Sequence, residues 1–178
     1  MRSGMYVNEV GQALPDAPHL VFVHGTRDTS ESFEALIPLL PGTHVTLYDR
    51  GGWGRSALAD PAPRTLADHT EDLESIVGER RVTLVGHSIG AVVAMHFAAV
   101  RPGSVVSLAL YEPAVHWATW WSGEDNAPIR EALEEVRVAC ANSGGSANGE
   151  RTVENAEQEA YLCDLESVMC PAFDFSLV

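Results

Sequence analysis

Two kinds of hydrophobic pattern alternate along the first two thirds of the chain. Short continuous apolar runs occupy His19–Val23, Val45–Tyr48, Val82–Val85 and Val105–Tyr111. A continuous run indicates a strand that is buried on both faces, as in a parallel sheet, because a strand with one wet face alternates apolar and polar residues. We expect one earlier strand near Met5–Val10. The pattern therefore predicts a mostly parallel sheet.

Helical patterns lie between these runs. Thr65, with Asp68 three residues later, forms a candidate capping box at the start of one helix. Another helix, from Ser88 to about Val100, is apolar almost all round and is predicted to be buried. Two amphipathic stripes complete the pattern: Phe33, Leu36, Ile37 and Leu40, then Leu66, Leu73, Ile76 and Val77. Strands and helices that alternate in this way predict an α/β fold with right-handed crossovers.

The pattern changes after Tyr111. Three tryptophans cluster at positions 117 to 121, a helix is predicted from Pro128, and a last helix is predicted over Val153–Met169. We interpret this part as a helical cap on the sheet. The predicted division is a core over 1–113, a cap over 114–170, and a run-in over 171–178 to a strand that the sequence does not contain.

Composition excludes several classes of function. The formal net charge of the 178 residues is −14 and no lysine occurs, so nucleic acid and anionic membranes should be repelled. No apolar run approaches the roughly 18 residues of a membrane span, and no secretory signal is evident, so we expect a cytoplasmic protein. Three cysteines without a paired spacing predict neither disulfides nor a zinc site. The seven histidines, His19 and His44 included, show no metal-binding spacing. We therefore expect no metal and no cofactor.

One motif carries candidate chemistry. Gly86-His87-Ser88-Ile89-Gly90 matches G-x-S-x-G, directly after a predicted strand and at the start of a predicted helix. This context is what a nucleophile elbow requires, because a sharp strand-to-helix turn exposes the serine hydroxyl. The helix N-terminus and the N–H of Ile89 then favour negative charge that develops beside Ser88. The motif predicts nucleophilic catalysis by Ser88.

Further segments, in the expected order and spacing, resemble the α/β-hydrolase superfamily. They are Phe22–Thr26, which ends a strand in His-Gly, Tyr48–Ser56, which looks like the family's glycine-rich turn, and Tyr111–Pro113. The resemblance implies an α/β-hydrolase fold and places a second oxyanion-hole donor at the backbone N–H of Thr26. Serine at position 88 argues against the branches with an aspartate nucleophile, the epoxide hydrolases and haloalkane dehalogenases. The chain looks like the esterases, lactonases, C–C bond hydrolases and cofactor-free perhydrolases of the superfamily.

The chain departs from the family pattern after the cap. The family's acid and histidine follow the nucleophile, yet the last histidine here is His116 and the fold is expected to be C-terminally incomplete. Glu112, at the end of the strand beside the elbow strand, is a candidate catalytic acid or a carboxylate that anchors the cap. His116 is a candidate base or an exposed histidine at the root of the cap. The tryptophans either form an aromatic wall for an apolar acyl substrate or pack the cap onto the core: Trp117, Trp120 and Trp121.

Three functions remain open from the sequence. The first is a serine hydrolase of an ester, lactone or thioester, either inactive as this chain or completed by a partner. The second is a non-catalytic protein of the same fold that binds a small molecule or a partner. The third is a perhydrolase that uses the same serine. The apolar strand Val105–Tyr111 is also predicted to be an exposed sheet edge through which two copies associate.

Overall fold

The computed structural model describes residues 4–12, 17–58, 65–115 and 152–169, with Glu131, Glu134 and Val138. Within this part of the chain, five strands form one sheet. The strands are β1 (Val7–Val10), β2 (His19–Val23), β3 (His44–Tyr48), β4 (Val82–His87) and β5 (Val105–Tyr111). Every predicted strand is confirmed, and the bounds differ from the predicted ones by a few residues at most.

The strands lie in the order β1-β3-β2-β4-β5. Strand β1 is antiparallel to β3, whereas all the other neighbours are parallel. The C-terminal ends of four strands therefore meet at one edge of the sheet, which is where open α/β sheets bind ligands. Ser88 follows β4 directly at this edge. The predicted mostly parallel α/β sheet is confirmed.

The helices are α1 (Leu66–Val77), α2 (Ile89–Val100) and α3 (Val153–Met169). Thr65 and Asp68 form the predicted capping box, with both reciprocal hydrogen bonds present. The segment Ser30–Leu39, predicted as a helix, is a 3₁₀ helix. Pro38 lies near its end and offers no amide donor, which disfavours a continuous α-helical ladder.

Two apolar layers cover the sheet. On one face, α1 and α2 pack against the strands, and the 3₁₀ segment covers the other face. Fully buried members of the first layer include Val21, Val23, Leu73, Val77, Leu84 and Val93. The second layer is built on Phe22, Val45 and Leu47, with Phe33, Ile37 and Leu40 packed against them. The strand β2 lies between both layers, which explains its continuous apolar run.

Several predictions concern residues outside the described part of the chain. His116 and the three tryptophans lie there, so their predicted roles stay predictions. The helix predicted from Pro128 has only Glu131, Glu134 and Val138 described, and all three are helical. The division into core and cap likewise stays a prediction. In the portion that is described, no helix combines the length and the apolar character that a membrane crossing needs.

Candidate active site

Ser88 occupies a strained backbone position between β4 and α2. Its φ of 53° and ψ of −123° lie in a region that non-glycine residues rarely adopt. Four backbone hydrogen bonds hold it there. Its N–H donates to Tyr111 O at 2.9 Å, and its carbonyl accepts from Ala91 N at 3.0 Å, Ala114 N at 3.3 Å and Val92 N at 3.4 Å. Strain of this kind persists where surrounding structure imposes it, and it is concentrated at functional sites. The structure thus places Ser88 at a strained turn between a strand and a helix, and its role as a nucleophile stays a prediction.

The two glycines of the motif are required by close backbone packing. A Cβ at Gly90 would lie 2.2 Å from Val23 O and 2.5 Å from His24 O. At Gly86 it would lie 2.5 Å from Ala91 Cα. Atoms at these distances overlap, so α2 can start this close to β2 and β4 only because both positions lack a side chain.

The His-Gly turn lies directly against the elbow. An ideal Cβ built at Gly25 would be 3.2 Å from Ser88 Cβ and 3.1 Å from His87 Nδ1. Thr26 follows Gly25, and Ile89 follows Ser88. The two predicted oxyanion-hole donors therefore lie on two turns that the fold brings into contact. Gly25 and Ser88, which represent these turns, are 63 positions apart in the sequence.

His24 fixes the shape of this turn. Its Nε2 accepts a hydrogen bond from Arg50 N at 2.8 Å, so Nδ1 carries the proton and donates to Gly25 O at 2.8 Å. Burial, and then the nearby charge of Arg50, lowers the pKa of His24 to about 3. The imidazole is therefore neutral at neutral pH, in the tautomer that these bonds need.

A buried ion pair lies behind the same turn. Arg50 and Asp164 form a bidentate pair, with NH1–Oδ1 at 2.9 Å and NH2–Oδ2 at 2.7 Å, and both side chains are essentially inaccessible to water. Arg50 also donates to the carbonyls of His24 and Gly25, at 3.0 and 3.1 Å. Thr26 Oγ1 donates to Asp164 Oδ2 at 2.8 Å. Helix α3 is thereby tied to the turn through charge-assisted hydrogen bonds.

Sequence reasoning missed this pair. Arg50 lies within the glycine-rich turn Tyr48–Ser56, which the sequence analysis identified. Nothing in the sequence pattern of that turn indicated which residue pairs with Arg50. Asp164 lies 114 positions away, on a predicted cap helix rich in acidic residues. Asp164, and not one of the neighbouring acidic residues, meets Arg50 because of the way α3 packs beside the turn.

The glycine-rich turn after β3 is held by a second polar cluster. Asp49 accepts hydrogen bonds from the backbone N–H and hydroxyl of Ser30, and from the backbone N–H and Nε of Arg55. Burial alone would raise the pKa of Asp49, but these bonds from Arg55 and Ser30 lower it to about 2. The Arg55 guanidinium also stacks 3.5 Å from the Tyr6 ring centroid. The cluster positions the turn that contains Trp53, which borders a cavity.

This cavity has a volume of about 550 Å³ and adjoins the His-Gly turn. Arg27, which lies over the Tyr161 ring at 4.2 Å, forms part of its wall. Ser88 is not among the described residues that line it. The lining mixes charged and aromatic side chains: Arg27, Asp28, Thr29, Trp53, Glu154, Glu157, Gln158 and Tyr161. The predicted apolar wall of Trp117, Trp120 and Trp121 lies outside the described residues and stays a prediction.

The predicted acid, Glu112, follows β5 as expected, at an exposed position with a φ of 45°. Of the residues that the structure describes, none hydrogen-bonds to the Ser88 hydroxyl. Glu112 is therefore not hydrogen-bonded to Ser88, and His116 lies outside the described residues. The predicted roles of Glu112 and His116 stay predictions.

Comparison with known proteins gives three informative matches. The chain is 37% identical to lipase LipV of Mycobacterium tuberculosis over 135 residues. This alignment covers 74% of the chain and 48% of LipV. It is 35% identical to a haloalkane dehalogenase of Bradyrhizobium diazoefficiens over 122 residues. This alignment covers 66% of the chain and 38% of that protein. The fold is similar to an α/β-hydrolase enzyme from a Medee basin deep-sea metagenome library, with a TM-score of 0.64 and 17% identity, over 92% of this chain and 66% of that one.

The chain thus spans about half, or less, of the length of these curated relatives. The model of the family described as "Alpha/beta hydrolase family" matches residues 20–169. That match includes the His-Gly turn, the elbow and helix α3, and it agrees with the sheet topology. The chain belongs to the α/β-hydrolase family.

Proposed function

We propose that this chain carries the nucleophile half of a serine hydrolase that acts on an ester, lactone or thioester. The observation that carries the proposal is the backbone of Ser88, which is held at a φ of 53° between β4 and α2, with the His-Gly turn packed against it. A sharp strand-to-helix turn that holds a serine in this strained conformation is the context that a nucleophile elbow requires.

The proposed chemistry follows from this placement. Ser88 Oγ attacks the substrate carbonyl, its proton passes to a base, and the carbonyl oxygen becomes an oxyanion. The N–H groups of Thr26 and Ile89 stabilise that charge, and the N-terminus of α2 adds positive potential. The intermediate then collapses: the bond from the carbonyl carbon to the leaving oxygen or sulfur breaks, and the base returns its proton to that atom. The alcohol or thiol departs, whereas the hydroxyl of an opened lactone stays attached to the acyl group. Water then hydrolyses the acyl-enzyme. Glu112 and His116 stay candidates for the acid and the base.

The choice of an acyl substrate rests on the nucleophile. A serine releases its acyl group to water through a tetrahedral intermediate, and an oxyanion hole stabilises that intermediate. The named relatives include both a lipase and a haloalkane dehalogenase. Because position 88 is serine, we favour the lipase-like chemistry over dehalogenation.

A second candidate is a protein of this fold that binds a small molecule without turnover. The observation that favours it is the Ser88 hydroxyl, which receives no hydrogen bond from any described side chain. The adjoining cavity of about 550 Å³ has the size of a ligand pocket. In this case a ligand would occupy the cavity, and Ser88 would remain unmodified.

Hydrolysis of p-nitrophenyl esters separates the two candidates. The purified chain is mixed with p-nitrophenyl acetate and butyrate, and p-nitrophenol release is followed against the variants Ser88→Ala and Ser75→Ala. Ser75 is an exposed serine on α1 that serves as the matched control. We expect a burst of up to one equivalent that Ser88→Ala abolishes and Ser75→Ala retains. Equal release by the wild type and Ser88→Ala would reject the hydrolase.

We also propose that two copies of the chain associate through β5. Three apolar side chains of this strand are largely exposed: Val106 at 58%, Leu110 at 38% and Tyr111 at 63%. In the described part of the chain β5 pairs only with β4, so its other edge offers unpaired backbone groups to a second strand. Light scattering at increasing concentration tests the proposal, since a monomer at every concentration would contradict it.

A further inference from the structure

At the opposite end of the strands from Ser88, three potential metal ligands share one face of the sheet. His19 and His44 begin β2 and β3, and the parallel register pairs them directly. Glu9, on the antiparallel strand β1, pairs with Thr46, two residues after His44. Side chains alternate between the faces of a sheet, so all four of these residues point to the same side. The register alone therefore gathers two imidazoles and a carboxylate.

The distances suit a single small ion. The ring centroids of His19 and His44 are 4.1 Å apart, and His44 Nε2 lies 3.9 Å from Glu9 Oε2. One ligand atom from each of Glu9, His19 and His44 lies within 4.8 Å of the others. Ligands about 2.1 Å from a tetrahedral zinc ion are about 3.4 Å apart. The His19 and His44 rings are stacked with their planes 26° apart, so they have to rotate out of the stack to direct one nitrogen lone pair each at the same ion.

Both imidazoles are more than nine-tenths buried, so protein atoms rather than bulk water surround their ring nitrogens. Thr46 Oγ1 lies 2.7 Å from His19 Nε2 and fixes the orientation of that ring.

One contact competes with a metal. Arg80 NH1 lies 2.8 Å from Glu9 Oε1. Both side chains of this pair are partly exposed, with 39% and 47% of their surface accessible, so the pair contributes little and can open. Arg80 and an ion would compete for the Glu9 carboxylate, and this competition can be tested. Removal of the Arg80 charge should leave the carboxylate available to an ion.

We propose that Glu9, His19 and His44 form a binding site for a divalent transition-metal ion such as Zn²⁺. Two imidazoles and one carboxylate are a donor set that binds zinc and leaves a position for water. A bound ion would connect the edge strand β1 to the central strands β2 and β3. An ion that binds only the folded chain stabilises it by mass action. The residue spacing in the sequence had predicted no metal site, because the three ligands come together only through strand register.

Cobalt titration tests the site directly. The full chain is treated with a chelator, dialysed, and titrated with Co²⁺ while its visible d–d absorption is recorded; Zn²⁺ is then added as a competitor. We expect saturation at one equivalent, loss of the signal on addition of Zn²⁺, and no thiolate-to-cobalt charge-transfer band. Thermal unfolding measured with Zn²⁺ should occur at a higher temperature than with the chelator.

Three variants decide the assignment, and all change exposed or half-exposed residues, so that the fold is kept. Glu9→Gln should weaken Co²⁺ binding by about tenfold or more. The matched control Glu34→Gln, at an exposed glutamate of the 3₁₀ segment, should bind like the wild type, and Arg80→Gln should bind more tightly. Absence of a saturable spectrum, a thiolate band, or equal binding by Glu9→Gln and Glu34→Gln would overturn the proposal.

Discussion

Substitution of Gly90 by alanine tests the claim that the elbow depends on close backbone packing. The new Cβ would lie 2.2 Å from Val23 O and 2.5 Å from His24 O. Cβ contacts below 3.0 Å are essentially never observed. The start of α2 therefore has to move about 0.8 Å away from Val23 O, the difference between 3.0 and 2.2 Å. Both neighbours are backbone atoms, and they cannot rotate away as a flexible side chain would.

The expected cost is at the upper end of the range for overpacking, about 3 kcal/mol of unfolding free energy. Gly103→Ala is the matched control, because a Cβ at Gly103 meets nothing within 4 Å. We expect that control to change stability by less than about 0.5 kcal/mol. The assay is urea unfolding followed by circular dichroism for the wild type and both variants.

The same substitution should reduce the reactivity of Ser88. A separation of α2 from the His24–Gly25 turn displaces Ile89 N from Thr26 N, and a misplacement near 1 Å can cost on the order of 100-fold in rate. Acylation of folded Gly90→Ala should therefore be much slower than that of folded Gly103→Ala. Equal stability and equal acylation in the two variants would refute the packing argument.

Three further predictions follow from the ion pair, the buried histidine and the sheet edge. Asp164→Asn leaves the buried Arg50 charge uncompensated and should cost about 3–5 kcal/mol by urea unfolding, whereas Arg50→Met with Asp164→Leu should recover most of that loss. A double variant as unstable as Asp164→Asn would contradict this. His24 has a folded-state pKa of about 3, below its unfolded value of 6.5, so protons favour the unfolded chain as the pH falls below 6.5. From pH 7 to pH 5 the unfolding free energy of the wild type should fall by about 2 kcal/mol more than that of His24→Gln. If the unfolding free energies of the two proteins changed in parallel with pH, His24 would not be buried in its neutral form. Val106→Lys should shift light scattering toward the monomer, and the exposed Val100→Lys on α2 should not; a similar effect of both would exclude β5 as the interface.

Much of the fold could be predicted from the sequence because local patterns determined it. The continuous run at Val105–Tyr111 predicted β5 with its observed bounds, and Thr65 with Asp68 predicted the start of α1. The G-x-S-x-G motif predicted a sharp strand-to-helix turn at Ser88, and the backbone packs closely at both Gly86 and Gly90. In each case the residues that decide the structure are neighbours in the sequence.

The parts that the sequence did not predict depend on contacts across the fold. Asp164 meets Arg50 because α3 docks beside the His-Gly turn, and no local pattern marks one acidic residue among many. His19 and His44 are 25 positions apart, from 44 − 19, and meet through strand register. The 3₁₀ geometry of Ser30–Leu39 was also missed, because the apolar spacing resembles that of an α-helix.

Reaction with a fluorophosphonate tests the central claim, that Ser88 is a positioned nucleophile, most directly. The purified chain is incubated with the reagent and its intact mass is measured, beside Ser88→Ala and the control Ser75→Ala. We predict one phosphonyl adduct on the wild type and on Ser75→Ala, and none on Ser88→Ala. A folded wild-type chain that stays unlabelled, or a label that persists in Ser88→Ala, would contradict the account.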